Sequence, residues 1–474
     1  MVASRQLWIA GESVGAADGT TFPVENPYSG EVVAHVARAG ADDAHRAVDA
    51  ATAALGDWAA TSGNARANVL HRAYRLVSKY REELARLLVD EGGKIVAEAA
   101  KEVRTGGAFI RLAAEEARRL GGELLPAPDA AQRIVVAHRP VGVVAAFTPA
   151  NAPVNVFGRK AACALGAGCT VVVKPPEETP LSTLLLVELL AEAGVPSGAV
   201  NVVVGDAPAI AGVLTTHPAV RLVTFTGSAH RGRQLMARAA EAGTPVILEL
   251  GGVAPFVVFE DADLDAAVAG LVAAKFRMSG QICASPQRVI VQRGAADGFR
   301  DKLLRRVATL RFGDPDDPAN DYGPLYHERI LKGVEALVND AVSKGATLLC
   351  GGTRGEGLLY PPTVITGVTP DMEVRREEAF GPILTLEEFG DEAEAVTLAN
   401  DTDYGLGAYV FTADGSRGWR VAEAVQAGVV GVNEAFPVTI EGPFGGVKGS
   451  GFGREGGRYG IEEFLVTKQI TFRI

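Results

Sequence analysis

From Val141 to Leu250 the chain alternates short apolar runs with helical stretches, a pattern compatible with very few folds. Val141 to Phe147, Thr170-Val171-Val172-Val173-Lys174, Val200 to Val204, Leu222 to Phe225 and Val246 to Leu250 read as strands. Helices are expected between them, from about Pro153 to Leu165, Leu181 to Ala193, Ala207 to Thr215 and from Ser228 onward. Strands this apolar, each followed by a helix, predict an α/β fold whose parallel sheet is covered on both faces. Ligands of such a sheet bind at the carboxyl ends of its strands, and a nucleotide is the default expectation.

A chain of 474 residues is too long for one core. After Gly251-Gly252 the pattern resumes, with helices expected near Leu264 to Met278 and Ala296 to Leu310 and strands near Thr347 to Cys350 and Ile383 to Phe389. This predicts a second α/β domain. Two extended segments, Leu124 to His138 and Phe464 to Ile474, lie outside both periodic regions and alternate β-branched with polar residues.

Charge removes several partner classes. The 46 basic and 57 acidic residues leave a net charge of −11, with no long Lys/Arg run, so neither nucleic acid nor an anionic membrane is expected as a partner. The residues after Met1 lack the apolar core of a signal peptide, which predicts a soluble, cytoplasmic protein. Four cysteines without a CxxC spacing imply reduced thiols, and seven histidines never at HxH or HxxxH spacing give no support to a zinc site. Gly451-Phe452-Gly453-Arg454-Glu455-Gly456 matches GxGxxG, yet too little chain follows it for a βαβ unit.

Two other residues offer chemistry. Cys283 lies in Gly280-Gln281-Ile282-Cys283-Ala284-Ser285, and Glu249 lies in Leu248-Glu249-Leu250-Gly251-Gly252. Either alone reads as a structural residue, a buried thiol or a helix-capping carboxylate. Together they can supply a nucleophile and a base to one carbonyl centre. Both motifs, at this separation, resemble the aldehyde dehydrogenase superfamily. Pro443-Phe444-Gly445-Gly446-Val447-Lys448-Gly449-Ser450-Gly451 is similar to that family's C-terminal signature.

The resemblance covers nearly the whole chain. It implies two doubly wound parallel-sheet domains and a small β arm for oligomerisation. The dinucleotide-binding domain would comprise residues 1–122 and 141–251, the catalytic domain 252–455, and the arm 123–140 and 456–474. A homodimer or homotetramer is implied. Cys283 would attack an aldehyde, its thiol made acidic by its setting, and Glu249 would activate the water that releases the acid. Asn151, in Thr148-Pro149-Ala150-Asn151-Ala152-Pro153, would form the oxyanion hole with the Cys283 backbone N–H. The family usually has Trp and Phe where this chain has Ala150 and Ala152, and often Lys at Val253.

The cofactor residues implied are Lys174 and Glu177 on the adenosine ribose, Gly227, Ser228 and Gly232 at a helix N-terminus for the pyrophosphate, and Leu250 beside them. Glu378 and Phe380, in Glu377-Glu378-Ala379-Phe380-Gly381-Pro382, would hold the nicotinamide ribose. Without the resemblance these read as a charged turn, a Ser-capped helix and a solvated acidic pair. A Glu177 carboxylate on the ribose hydroxyls would repel a 2′-phosphate, so NAD is expected, with NADP less favoured.

Arg159 and Arg277 match positions that bind the distal carboxylate in succinate-semialdehyde dehydrogenases, and a guanidinium pair suits a carboxylate. Either could instead pair with a protein glutamate. The expected reaction is oxidation of succinate semialdehyde to succinate. The alternatives are another semialdehyde or an aromatic aldehyde, a coenzyme A-acylating relative, which typically lacks the glutamate, and a silent relative, which would lose Cys283 or Glu249.

Overall fold

A computed structural model describes residues 3–474. Five parallel strands form the centre of the first sheet, in the spatial order Val246–Glu249, Val220–Thr226, Val143–Phe147, Thr170–Lys174, Val200–Val202. Order reverses at Val143–Phe147, which pairs on one side with Val220–Thr226 and on the other with Thr170–Lys174. The loop carrying Asn151 leaves from that switch point. Antiparallel strands close both ends: Leu7–Ile9 and Glu12–Val14 at one edge, Gly451–Phe452 at the other.

Helices Ala41–Ala60, Gly63–Lys79, Arg81–Gly92 and Val96–Ala117 share a core with this sheet, which joins Val48, Leu70 and Ile110 to Val144 and Val172. Ile461 and Phe464, from near the end of the chain, complete it.

The second sheet has seven strands, ordered Thr347–Cys350, Thr363–Thr366, Ile383–Phe389, Pro286–Gln292, Ala254–Val258, Gly407–Phe411, Val429–Val432. All its pairings are parallel except the first. Five of these strands were not expected from the sequence. Ala254-Pro255-Phe256-Val257-Val258 and Gly407 to Phe411 are short, begin with or contain Gly or Pro, and become strands by being clamped between neighbours.

Two three-stranded sheets remain. One joins Leu465–Arg473, Gln132–Pro140 and Glu123–Leu125 in antiparallel register and leaves Leu124, Val466 and Phe472 exposed. The other joins Ala3–Arg5, Val32–Ala37 and Thr21–Glu25.

Two helices depart from expectation. The Pro153 helix contains a π turn at Gly158–Ala162, where a Cβ on Gly158 would lie 2.7 Å from the Gly106 carbonyl oxygen of the crossing helix. Such a turn re-aims the side chains it carries, here Arg159 and Lys160. The helix from Leu264 stops at Phe276, before the expected Met278, because Met278 and Ser279 take left-handed φ of 50° and 58°.

Candidate active site

Strained backbone introduces the Cys283 loop. Met278 and Ser279 are held in that conformation by the Glu98 Oε1, which accepts the Met278 N–H at 2.5 Å, and by the Gly323 carbonyl, which accepts the Ser279 hydroxyl at 2.7 Å. Gly280 follows with φ 75°, and any Cβ there would strike the Gly381 carbonyl oxygen. Beyond it the loop is pinned at both ends. The Gln281 Oε1 accepts the Tyr326 N–H at 3.0 Å, and the Tyr409 hydroxyl donates to the Ala284 carbonyl at 2.6 Å. Cys283 sits between these clamps.

Glu249 ends its strand facing this loop. Its Oε1 is buried without a hydrogen-bond partner among the described residues, and its carboxyl and the Cys283 thiol are close enough for each to shift the other's ionisation. Burial, then repulsion from Glu455, pushes the Glu249 carboxyl up to about 8, against the pull of Lys160 and Arg159. Glu455 is itself the hub of a buried cluster. Lys160 Nζ donates to Glu455 Oε1 at 2.8 Å and to Thr224 Oγ1 at 2.7 Å, while Arg159 Nη1 lies 3.6 Å from the second Glu455 oxygen.

The same setting reverses the expectation for Cys283. Burial, the Glu249 carboxylate and the Glu378 carboxylate raise its thiol well above the ordinary range instead of lowering it. The resting proton belongs on sulfur, and Glu249 is the group placed to receive it.

Asn151 reaches the same point from the switch-point loop. Its Nδ2 donates to the Gln281 carbonyl oxygen at 2.7 Å, which leaves one amide hydrogen free. Glu102 fixes the loop by accepting the Val154 N–H at 3.0 Å and pairing with Lys94.

The cofactor candidates line the carboxyl ends of the first sheet's strands. Lys174 Nζ lies 3.0 Å from Glu177 Oε2, with Lys174 buried and Glu177 half-exposed. Ser228 Oγ caps the Ala229–Glu241 helix by accepting the Arg231 N–H, so the helix N-terminus opens beside Gly227. Gly232 packs against Leu250 so closely that a Cβ would strike the leucine side chain. Opposite them, Glu378 lies against Gly251, where a Cβ would meet its carboxylate, and accepts the Gly252 N–H at 3.3 Å. Burial raises the Glu378 carboxyl to about 8. Phe380, beside it, has a left-handed φ of 44°. Carboxylates able to accept ribose hydroxyls, a helix N-terminus able to take a pyrophosphate and glycines admitting close approach fit a nicotinamide dinucleotide.

The two arginines separate. Arg159 stacks between Phe109 and Phe444, at 4.6 and 4.7 Å, donates to Asn155 Oδ1 at 3.2 Å and faces Glu455. Protein groups thus occupy its Nε and its aromatic-facing surface, and its charge acts on both Glu249 and Cys283. Arg277 lies over the Phe436 ring at 5.2 Å, and its buried Nε has no acceptor among the described residues. Sequence reasoning missed Glu455, Lys160, Glu98 and Phe436. Glu455 alone carried a signal, as an acid inside a glycine-rich turn.

Comparison with known proteins agrees with this geometry. The Aldehyde dehydrogenase family profile matches residues 14–470. The succinate-semialdehyde dehydrogenase (NADP(+)) of Escherichia coli (strain K12) is 44% identical over 98% of this chain and 97% of its own. A 3-sulfolactaldehyde dehydrogenase of Pseudomonas putida is 45% identical, over 98% of this chain and 96% of its own. The crystal structure of succinate-semialdehyde dehydrogenase from Burkholderia pseudomallei superposes with a TM-score of 0.97 at 45% identity, covering 99% of this chain and 98% of that one.

Proposed function

This chain belongs to the aldehyde dehydrogenase family, and we propose that within it the substrate is an aldehyde with a distal carboxylate, succinate semialdehyde foremost, oxidised to the acid with NAD. It is an NAD(P)-dependent aldehyde dehydrogenase with the α/β fold of that family. The observation that carries the substrate reading is Arg277, a largely desolvated guanidinium whose Nε lacks a protein acceptor near the nucleophile.

In the proposed reaction Cys283 Sγ bonds to the aldehyde carbon as its proton passes to Glu249. The free Asn151 amide hydrogen and the Cys283 N–H hold the resulting oxyanion. A nicotinamide dinucleotide held by Lys174, Glu177, Ser228 and Glu378 would supply the two-electron hydride acceptor that oxidation at this carbon requires. Cys283 then carries a thioester. Glu249, once deprotonated, takes a proton from water, whose oxygen bonds to the acyl carbon, and the Cys283 sulfur departs as the acid leaves. A carboxyl held up to about 8 suits both proton transfers near neutral pH.

Glu177 supports NAD, because a half-exposed carboxylate at the ribose position repels a 2′-phosphate. The NADP(+) in the name of the Escherichia coli relative makes the alternative worth testing directly. A distal sulfonate is the second reading, favoured by the sulfolactaldehyde relative and by the same open guanidinium.

We assign residues 1–122 and 141–251 to the dinucleotide-binding domain, 252–455 to the catalytic domain and 123–140 with 456–474 to an arm, save that Gly451–Phe452 pairs into the first sheet and Ile461 and Phe464 pack into its core. The exposed Leu124, Val466 and Phe472 of that arm favour a homodimer or homotetramer. No described helix is long and apolar enough to cross a membrane, and the free cysteines suit a reducing, cytoplasmic setting.

Measuring cofactor reduction over a panel of aldehydes tests the proposal. Succinate semialdehyde should exceed uncharged butanal in kcat/KM, and a preference for butanal would overturn the distal-anion reading.

A further inference from the structure

Arg277 is not the only cation beside the Phe436 ring. Lys101, on the Val96–Ala117 helix, places its Nζ 5.3 Å from the centre of the same ring that Arg277 approaches at 5.2 Å. Phe436 is 40% exposed and Lys101 is exposed, so the cluster stands at an opening with Arg277 the more buried of its two cations. Neither forms an ion pair among the described residues. Glu98 is the acid that acts on both; its Oε1 accepts the Met278 N–H, and its buried Oε2 makes no hydrogen bond to either cation. Arg104, one turn along the helix from Lys101, adds further positive charge.

Two cations around one ring repel each other, and an anion bound between them offsets that repulsion more fully than solvent does. In a chain of net charge −11, Lys101 and Arg277, with Arg104 beside them, have Glu98 as the one carboxylate among the described residues that acts on the pair, so positive charge is in excess at this opening. The Lys101 ammonium is held below the usual lysine range by desolvation and then by Arg277, as expected for a cation facing another cation.

We propose that Lys101 is a specificity-determining residue which, with Arg277 across the Phe436 ring, binds the far end of the aldehyde and admits an end bearing two negative charges as well as a carboxylate. The inference rests on the distal-anion reading given above. It extends that reading by a residue and by a class of substrate.

The test compares wild type, Lys101→Gln, Lys101→Arg and Arg277→Ala on three aldehydes: 3-phosphonopropanal, succinate semialdehyde and butanal. Wild type should oxidise the phosphonate. Lys101→Gln should lower its kcat/KM by about tenfold or more and that of succinate semialdehyde by about threefold, with butanal within about twofold of wild type. Lys101→Arg should restore most of the loss. Equal effects of Lys101→Gln on all three aldehydes, or no turnover of the phosphonate by wild type, overturns the role of Lys101. If Arg277→Ala still selectively weakens succinate semialdehyde in that case, the distal-anion reading survives alone. Butanal preferred by wild type sinks both.

Discussion

The Asn151 side chain is anchored to the backbone of the nucleophile loop: its Nδ2 donates to the Gln281 carbonyl oxygen at 2.7 Å. One amide hydrogen is spent on orientation, and the other is directed by it. Asn151→Ala should therefore lower kcat by about 10²–10³-fold, the usual loss of one oxyanion donor. Cofactor affinity, read by fluorescence titration, should stay close to wild type. A kcat within a few-fold of wild type would show that the amide does not meet the developing charge.

Chemistry divides between Cys283 and Glu249. Cys283→Ala should abolish turnover, while Glu249→Gln should accumulate the thioester wherever acylation still proceeds, visible as an adduct in intact-protein mass spectrometry. Turnover by Cys283→Ala comparable to wild type would end the covalent mechanism.

The pH dependence has a definite sign. Glu249 must be ionised to act as base, and its carboxyl sits at about 8, so the hydrolytic rate should rise with pH and level off above that value. The Glu249 charge also raises the Cys283 thiol, so Glu249→Gln should move the midpoint for iodoacetamide alkylation of Cys283 to lower pH. An unmoved midpoint, or one displaced upward, would contradict the coupling.

The arginines should differ in mutants as they differ in surroundings. Arg277→Ala should lower kcat/KM for succinate semialdehyde by about tenfold or more and spare butanal. Arg159→Ala strips Glu455 of a partner and unstacks Phe109 and Phe444, so both substrates should suffer. Selective damage from Arg159→Ala would return that residue to the substrate site.

For the cofactor, wild type should show a higher kcat/KM with NAD than with NADP, and Glu177→Ser should narrow the gap. A wild type preferring NADP would mean that Lys174, 3.0 Å from Glu177, dominates the ribose site.

The residues proposed to carry reactivity were legible because each lies in a contiguous motif. Cys283, Glu249 and Asn151 announce themselves with their immediate neighbours, and the structure gathers them at one point. What sets their ionisation was not legible. Lys160 and Glu455 meet across 295 residues of sequence, and no local pattern links them. The acidified thiol expected for Cys283 failed for the same reason, since the surrounding carboxylates come from distant strands and loops. Likewise the five central strands of the first sheet stood out by regular alternation with helices, whereas Ala254–Val258 and Gly407–Phe411 are made strands by their pairing partners.

The Val246–Glu249 strand obtains its outer neighbour from Gly451–Phe452, with Glu249 opposite Gly451, and the Ser450 hydroxyl donates to the Gly251 carbonyl at 2.8 Å. The strand that carries Glu249 thus depends for its outer edge on a segment far along the chain. A nascent chain made as far as Ile440 already contains the thiol, the carboxylate and the ribose contacts, but the edge beside Glu249 is open and Glu455 has yet to be made. Long-range closure of this kind is slow to form and easily undone. Loss of Gly451 to Glu455 would open that edge and take away the carboxylate partner of Lys160, leaving Cys283 and Glu249 present in the chain but without the groups that surround Glu249.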